Sequence, residues 1–433
     1  MISSTVSSEA PARPLAVLVA GPLHLFRTTG IYLLNEMVKA YDVILVGEET
    51  YPTDPDASKA MTWVGVRAVH LMASFFDASR YHRRALEIAR AISKAAPAIL
   101  LQHNESFPHN LYFIAHVPST CLRATFANGF TLDLQHDFDV IEASRVQALV
   151  RRFPISMTIA RRLLRLRGWI RRIEHYTLLP LRLSGRRLSP PLDPMTGMRL
   201  FRDTAALTDV HFIFTEREAE LYGRYLSPGD IQVVLHPVQQ AGKEVHRLIS
   251  APDEQSRITL RPTWGLVSQL SARLGAAEAA DRMARDWVGA LAVLRERLGG
   301  LPACIKLHPL AKGDPAMQAM VAQMKDIMPD LEVIDPRISA ERLILQSFCV
   351  VGDVSSVLWW SSMLGNRIVI SLDAWGLPLG DEFMHHRGVI YVREPASLGT
   401  ASLAPDAGEA RGRSLMDALE AARTAKIRAK IGI

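Results

Sequence analysis

The sequence lacks long apolar runs, closely spaced cysteines and a secretion signal. Its longest apolar run near the start, Leu15–Ala20, has six residues, whereas a membrane-spanning helix needs about 20. The three cysteines, Cys121, Cys304 and Cys349, are far apart and have no CxxC spacing, which argues against a disulfide framework and a metal site. Residues 1–13 contain no basic region followed by an apolar stretch and are predicted to be a disordered leader. We therefore expect a cytoplasmic protein that does not span a membrane.

Acidic residues are nearly absent from one stretch of the chain. Residues 151–187 contain eleven arginines and a single acidic residue, Glu174, for a local net charge of +10. The 433-residue chain has 50 Lys and Arg against 44 Asp and Glu, a net charge of +6, so the rest of the chain carries −4. The basic character is local, and it predicts an anionic partner at one place rather than over the whole surface.

Apolar segments alternate with helical patterns along most of the chain. Buried strands are predicted where short apolar runs are bounded by turn residues. In the first half these are Leu15–Ala20, Asp42–Val46, Ala98–Gln102 and Val210–Phe214. In the second half they are Trp264–Ser268, Ala303–Leu307, Leu331–Ile334, Phe348–Val351 and Arg367–Ile370. Strands that alternate with helices are typical of the α/β class with doubly wound parallel sheets.

Interruptions in this alternation of strands and helices predict the domain boundaries. We expect an N-terminal Rossmann-like domain over residues 14–237, interrupted by a basic helical insertion at 147–187. A polar, weakly patterned linker is predicted over 238–258. A C-terminal α/β domain is expected over 259–400, and a tail helix over 401–433.

Two polar motifs follow predicted strands of the C-terminal domain. Ligands of parallel α/β sheets bind beyond the carboxyl ends of the strands, where helix N-termini present free N–H groups. In Lys306-Leu307-His308-Pro309, the proline ends the strand and holds the histidine extended beside a lysine. Gly352-Asp353-Val354-Ser355-Ser356 opens a helix, so its serines can cap the helix and bind an anion. Each motif alone could be purely structural, but together they predict a phosphate site made of Lys306, His308, Pro309, Gly352, Ser355 and Ser356.

These motifs resemble the nucleotide-binding domain of GT-B glycosyltransferases. The similar segments are 306–309, 334–336 and 350–365, within about residues 303–371. More narrowly, they resemble bacterial enzymes that use cytidine-activated donors: sialyltransferases and polysialyltransferases with His-Pro and Ser-Ser motifs, Kdo transferases, and CDP-glycerol glycerophosphotransferases. The resemblance implies two Rossmann-like domains that face each other across a cleft, with the acceptor on the N-terminal side and the donor on the C-terminal side.

The same resemblance implies roles for single residues. His308 would contact the donor phosphate and stabilise the departing CMP, and the hydroxyl groups and helix N-terminus at Ser355 and Ser356 would donate to that phosphate. Neither a metal nor another cofactor is expected, because enzymes with CMP donors generally need none. The nucleotide-activated sugar would be a co-substrate.

A general base for the acceptor hydroxyl is expected from the first domain. The acidic signature that sialyltransferases carry in an N-terminal loop is absent from this sequence. We favour Glu105, which follows a predicted strand in HNESFPHN, over the alternatives Glu48, Glu49, Asp133 and Asp137.

Three further residues are candidates for contact with acceptor or donor. His24 and Arg27 follow the first strand in GPLHLFRTTG, and Asp335 follows a strand of the second domain. The first of these loops is not GxGxxG, so the sequence does not support dinucleotide binding.

The arginine-rich stretch places Trp169 and several aliphatic residues among basic residues. As a helix it would be amphipathic, which is typical of a helix lying in the plane of an anionic membrane. The residues predicted to contact a membrane or a polyanionic acceptor are Arg161, Arg162, Arg165, Arg171 and Arg172. No nucleic-acid-binding signature accompanies the stretch, so we expect no nucleic-acid partner. A plain solvated helix remains the alternative.

The sequence thus predicts a metal-independent glycosyltransferase that moves a sialic acid or Kdo-type sugar from a CMP donor to a surface-glycan or glycolipid acceptor. Such an enzyme would serve capsule or lipopolysaccharide biosynthesis, in the cytoplasm or peripherally on the inner face of the plasma membrane. Transfer from CDP-glycerol or from a UDP-sugar is the close alternative. UDP-N-acetylglucosamine 2-epimerases share the fold, but we expect their chains to be shorter and to lack the basic stretch. A non-catalytic scaffold that binds lipid or polyanions is the alternative outside enzymes.

Overall fold

The computed structural model of the chain divides into two compact units. The first comprises Met1–Val234 together with Gly412–Ile433, and the second comprises Leu235–Arg411. The structure describes residues 13–74, 78–103, 108–127, 146, 149–150, 152–166, 196–242, 244–249, 256–307, 314–335, 338–353, 355–365, 367–375, 388–405 and 412–431.

The first unit is built on a parallel sheet of seven strands. They are β1 (Leu15–Val19), β2 (Asp42–Glu48), β3 (Val66–Met72), β4 (Ile99–His103), β5 (Leu122–Phe126), β6 (Val210–Ile213) and β7 (Ile231–Val233). Their order in the sheet is β3-β2-β1-β4-β5-β6-β7. Because the chain runs outward from β1 and then returns to pair β4 with β1, the topological switch point lies between β1 and β4.

Helices cover this sheet and supply its core. They are α1 (Ile31–Ala40), α2 (Pro55–Ala60), α3 (Ala78–Ala95), α4 (Pro108–His116), α5 (157–166), α6 (Thr196–Ala205) and α7 (Glu216–Tyr222), with 3-10 turns at Tyr51–Thr53 and Pro228–Asp230. Val17 and Leu100 on adjacent strands pack in one buried cluster with Ile88 and Ile92 of α3. These side chains pack one face of the sheet against α3.

The second unit repeats this architecture with six parallel strands. They are β8 (Arg257–Arg261), β9 (Ala303–Ile305), β10 (Glu332–Val333), β11 (Ser347–Gly352), β12 (Ile368–Leu372) and β13 (Ile390–Val392). The order is β10-β9-β8-β11-β12-β13, so the switch point lies between β8 and β11. Its helices are α8 (Pro237–Ala241), α9 (Glu244–Leu248), α10 (Trp264–Leu274), α11 (Ala276–Arg297), α12 (Pro315–Ile327), α13 (Ala340–Leu345) and α14 (Ser356–Met363), with a 3-10 turn at Pro395–Gly399. The predicted α/β class with two doubly wound parallel sheets is confirmed.

The start of the second sheet differs from the prediction. Residues 264–268, which were expected to form a strand, begin helix α10, because Thr263 caps that helix and accepts a hydrogen bond from the Leu266 N–H at 3.2 Å. The first strand is β8, whose first two residues are the last two of the predicted linker 238–258. Helices α8 and α9 cover most of the first half of that segment. Because Thr259 is polar, β8 does not stand out in the sequence as an apolar run. The Thr259 side chain is nevertheless buried, and its hydroxyl oxygen lies 2.6 Å from that of Ser347.

The last helix, α15 (Leu415–Ile431), belongs to the first unit. Its Lys426 amino group lies 2.8 Å from the Cys121 carbonyl oxygen and 2.5 Å from a carboxylate oxygen of Asp209. These acceptors immediately precede β5 and β6, so α15 is anchored beside the amino ends of these two strands. Among the described helices of both units, none is long and apolar enough to span a membrane.

Candidate functional site

The switch point of the second unit depends on a glycine. A β-carbon at Gly352, the last residue of β11, would lie 2.9 Å from the carbonyl oxygen of Arg261, the last residue of β8. Such a contact is too short for real side chains, so only glycine allows the two strands to end this close together. The residues that follow both strands are thereby held at one edge of the sheet.

Asp353 connects the two strand ends. Its carboxylate accepts a hydrogen bond from the Thr263 N–H at 2.8 Å and a second, short one from the Thr263 hydroxyl. The side chain is buried, and this burial raises the pKa of Asp353 to about 6, against the effects of the Thr263 hydrogen bonds and the charge of Arg261. The pair fixes the first turn of α10 relative to the loop that precedes α14.

Two helices begin at this switch point. Thr263 caps α10, and Ser355 caps α14 by accepting a hydrogen bond from the Val357 N–H at 3.2 Å. A serine hydroxyl that accepts from the backbone still has its own proton to donate. Helix N-termini carry a partial positive charge and unsatisfied N–H groups, so this edge of the sheet is suited to an anion.

Two buried cations lie at the same edge. Arg261 at the end of β8 is 8% exposed, Lys306 after β9 is 3% exposed, and an Arg261 guanidinium nitrogen lies 3.4 Å from the Lys306 carbonyl oxygen. Burial lowers the pKa of Arg261, whereas the carboxylates of Glu341 and Asp353 raise it. The sequence analysis missed Arg261 because it placed the strand of this segment too late. The signal that could have indicated this residue is an arginine at the end of the alternating pattern RITLR, residues 257–261.

The predicted donor-site residues are distributed over three adjacent strands. Lys306 follows β9, Gly352 is the last residue of β11, and Ser355 follows β11. Strand β8 lies between β9 and β11. Asp335 follows the edge strand β10 and is exposed. Three strand spacings separate β10 from β11, roughly 14 Å in total. The fold therefore does not bring Asp335 together with Ser355.

Several predicted residues cannot be placed. His308, Pro309, Glu105, Arg171 and Arg172 lie outside the described residues. Ser356 is described through its backbone, which begins α14.

The switch point of the first unit contains buried histidines. Gly21 follows β1 with a φ of +74°, and a β-carbon there would lie 2.6 Å from the ring of His103, which ends β4. His109 Nδ1 lies 2.5 Å from the Tyr81 hydroxyl oxygen. Burial lowers the pKa of His109 to about 3, and burial with the nearby charges of His109 and His24 lowers that of His103. These buried imidazoles are neutral at physiological pH, and both belong to the segment HNESFPHN that contains Glu105.

The loop after β1 holds the other predicted contacts. His24 is exposed on a helical turn, Leu23–Leu25, whose first N–H donates to the Glu48 carboxylate at 3.3 Å. Arg27, in the π-helical turn that follows, forms a salt bridge with the buried carboxylate of Asp54. Of these two residues, His24 is the one whose side chain faces solvent.

The described residues contain no group of three or more His, Cys, Asp or Glu side chains that could hold a metal ion.

Comparisons by sequence give no family. No protein-family model matches the chain, and no curated protein matches it.

Comparisons by structure show the fold. The UDP-GlcNAc 2-epimerase of Methanocaldococcus jannaschii aligns over 94% of this chain and 98% of its own, with a TM-score of 0.55 and 12% identity. The UDP-GlcNAc 2-epimerase of Neisseria meningitidis, bound to UDP-GlcNAc, aligns over 89% of each chain, with a TM-score of 0.51 and 11% identity. The wall teichoic acid polymerase TagF covers 96% of this chain and 83% of its own at 13% identity, but its TM-score of 0.44 is too low to support a fold assignment.

The predicted pair of Rossmann-like domains of the GT-B type is thus confirmed as the fold class.

Proposed function

We propose that this protein is a glycosyltransferase whose second unit binds the phosphate of a CMP-activated sugar of the sialic acid or Kdo type. The observation that carries the proposal is the pair of capped helix starts, α10 and α14, on either side of the switch point between β8 and β11. Ligands of doubly wound sheets bind at this position, and two helix N-termini favour a phosphate there.

The charges around this edge fit an anion that is bound by hydrogen bonds. Arg261 and Lys306 are accompanied by the buried carboxylates of Glu341 and Asp353, so the buried charges largely compensate one another. A phosphate would then rely on the helix N–H groups, on the Ser355 hydroxyl and on His308, which the resemblance assigns to this role.

The proposed reaction breaks the bond between the sugar and a phosphate oxygen. The electron pair of that bond leaves with CMP, and the acceptor hydroxyl oxygen forms the new bond to the sugar. Donors fixed around the phosphate lower the barrier because they stabilise the charge that develops on the leaving group without having to reorganise. A base takes the proton from the acceptor hydroxyl, and Glu105 remains our candidate for it. The acceptor would be a surface glycan or a glycolipid.

UDP-GlcNAc 2-epimerase activity is the second candidate. The N. meningitidis epimerase that shares this fold is described as bound to UDP-GlcNAc. An epimerase would use the same helix N-termini for a nucleoside diphosphate but would need no acceptor. Transfer from CDP-glycerol or from a UDP-sugar would also require a donor phosphate bound at this site. Only the nucleotide of the donor would differ.

Thermal denaturation with CMP, CDP, UDP and GDP tests the nucleotide. A ligand that binds only the native state stabilises it by RT ln(1 + [L]/Kd), so at equal concentrations the ligand that binds most tightly raises the melting temperature most. We expect CMP to give the largest increase. An increase with UDP alone would replace the CMP donor by a UDP-sugar, and conversion of UDP-GlcNAc without an acceptor would then identify an epimerase. If no nucleotide raises the melting temperature, the non-catalytic scaffold is the better account.

Two substitutions test the phosphate contacts. His308→Ala is expected to lower turnover on the order of 100-fold by removing leaving-group stabilisation, and wild-type turnover would contradict the role of His308.

Ser355→Ala is expected to weaken CMP binding. Ser362→Ala in the same helix is its matched control, because the Ser362 hydroxyl bonds to the Trp359 carbonyl at 2.7 Å. Equal affinities of the two serine variants would contradict the proposed contact.

A further inference from the structure

Exposed apolar side chains are concentrated in residues 152–166. The described part of the chain has eleven large hydrophobic residues that are exposed, and five of them, each between 46% and 52% exposed, belong to this segment. They are Phe153, Met157, Ile159, Leu163 and Leu166. A cluster of this kind on a protein surface marks an interaction site more often than scattered single residues do.

The exposed residues of α5 form two adjacent strips. At about 100° per residue, Ile159, Leu163 and Leu166 fall within one narrow sector of the helix. The next sector contains Arg161, Arg162 and Arg165, all of them exposed. On the other side, Ala160 is buried and Leu164 is partly buried. The helix therefore rests on the protein along one edge and presents an aliphatic strip beside a basic strip to solvent.

The charge of this surface has one sign. Residues 152–166 contain four arginines and no acidic residue. Ahead of the helix, the Arg152 guanidinium lies 5.5 Å from the centre of the Phe153 ring, so the pairing of basic and apolar side chains extends beyond α5.

We propose that α5 lies in the headgroup layer of an anionic lipid bilayer, with Ile159, Leu163 and Leu166 in the upper acyl region and the arginines at the lipid phosphates. A soluble polyanion would be held by charge alone and would leave the aliphatic strip in water. A bilayer surface accommodates the aliphatic strip and the basic strip at once. In-plane interfacial helices have this combination of apolar and basic residues. This inference does not depend on the proposed donor site, because that site lies in the second unit, whereas α5 belongs to the first unit and needs no nucleotide.

Co-sedimentation of the full-length protein with vesicles tests the inference. We expect binding to vesicles of phosphatidylcholine mixed with phosphatidylglycerol and much weaker binding to phosphatidylcholine alone. The triple variant Arg161→Gln, Arg162→Gln, Arg165→Gln should bind the mixed vesicles on the order of 100-fold more weakly. The matched control neutralises Arg67, Arg83 and Arg90, three exposed arginines of the same unit, and should bind like the wild type. Equal loss in both triple variants would overturn the assignment to α5.

The variant Ile159→Ser, Leu163→Ser, Leu166→Ser separates a bilayer from a soluble polyanion. It should lose binding to mixed vesicles and keep the wild-type affinity for dextran sulfate. If it binds the vesicles as well as the wild type does, the bilayer is overturned and a polyanion site replaces it. The three substituted side chains are exposed, so the packing of α5 on the protein should be kept. If the triple variant nevertheless fails to fold, Leu166→Ser alone, at the most exposed of the three positions, provides the same contrast between vesicles and dextran sulfate.

Discussion

The carboxylate of Asp353, just after β11, accepts hydrogen bonds from both the N–H and the hydroxyl of Thr263, the cap of the helix that follows β8. This pair holds in place the ends of β8 and β11 and the starts of α10 and α14 at the switch point of the second unit.

Thr263→Val should destabilise the protein by about 1–3 kcal/mol, because a buried carboxylate loses a donor and α10 loses its cap. Thr263→Ser keeps the hydroxyl and is the matched control, with a much smaller loss expected. Urea denaturation followed by circular dichroism measures both. Equal stabilities of the two variants would show that the hydroxyl contributes little.

The stability should carry a pH dependence that arises from Asp353. Its pKa of about 6 in the folded protein is raised above the ordinary value, so the folded state binds a proton more readily than the unfolded chain does. The contribution of this group to stability is therefore full below about pH 4 and is lost as the pH rises through about 6. Relative to Asp353→Asn, the wild type should lose up to about 3 kcal/mol between pH 4 and pH 7. Urea denaturation across this range provides the measurement, and a constant difference would refute the raised pKa.

A buried histidine should give the stability a pH dependence of the opposite sign. The pKa of His236, which caps α8, is lowered to about 3 by burial, so the unfolded chain binds a proton more readily than the folded protein does. The corresponding stability is present above about pH 6.5 and is lost as the pH falls. His236→Asn keeps a cap acceptor and removes the titration. At pH 5 the variant should gain about 2 kcal/mol relative to the wild type, compared with their difference at pH 8. An unchanged difference between the two pH values would contradict burial of a neutral imidazole.

Gly352→Ala should destabilise the second unit by about 1–3 kcal/mol, because the new methyl group collides with the Arg261 carbonyl. Gly399→Ala in the same unit is the control, since a β-carbon there meets no atom within 4 Å. Thermal denaturation should separate the two variants clearly. Similar melting temperatures would mean that the ends of β8 and β11 can move apart.

Arg261→Gln should destabilise the protein by about 3–5 kcal/mol, because it leaves the buried carboxylates of Glu341 and Asp353 without their cation. Arg257, at the other end of β8, pairs with the largely exposed Glu332 at 3.3 Å, so Arg257→Gln should cost less than about 1 kcal/mol. Chemical denaturation of both variants tests this contrast between the two ends of one strand. A small loss for Arg261→Gln would mean that its charge is dispensable for folding.

Local patterns predicted the apolar strands β9, β11 and β12 of the second sheet but missed the short strand β13. Phe348–Val351 is the centre of β11, and the serine motif after it does begin a helix capped by Ser355. β8 was missed because its buried Thr259 and Arg261 are satisfied by partners far along the chain, Ser347 and Lys306, which no local window contains.

The candidate site shows the same limit. Lys306, Gly352 and Ser355 were recognisable because each lies at the end of an apolar strand or within three residues of it. The hydrogen bonds from Thr263 to Asp353 span 90 residues and exist only once β8 and β11 are neighbours. Sequence alone also cannot show that Asp335, a predicted contact for acceptor or donor, follows a strand at the edge of the sheet.

The position of α15 has a consequence for biosynthesis. The ribosome makes 1–234 first, then the whole of 235–411, and only afterwards the helix whose Lys426 reaches Asp209 and Cys121. The unit that starts first is therefore completed last, and until then the sites that receive α15, at the amino ends of β5 and β6, stay open on the nascent chain. A chaperone or a docking peptide that mimics α15 would have its opportunity in that interval.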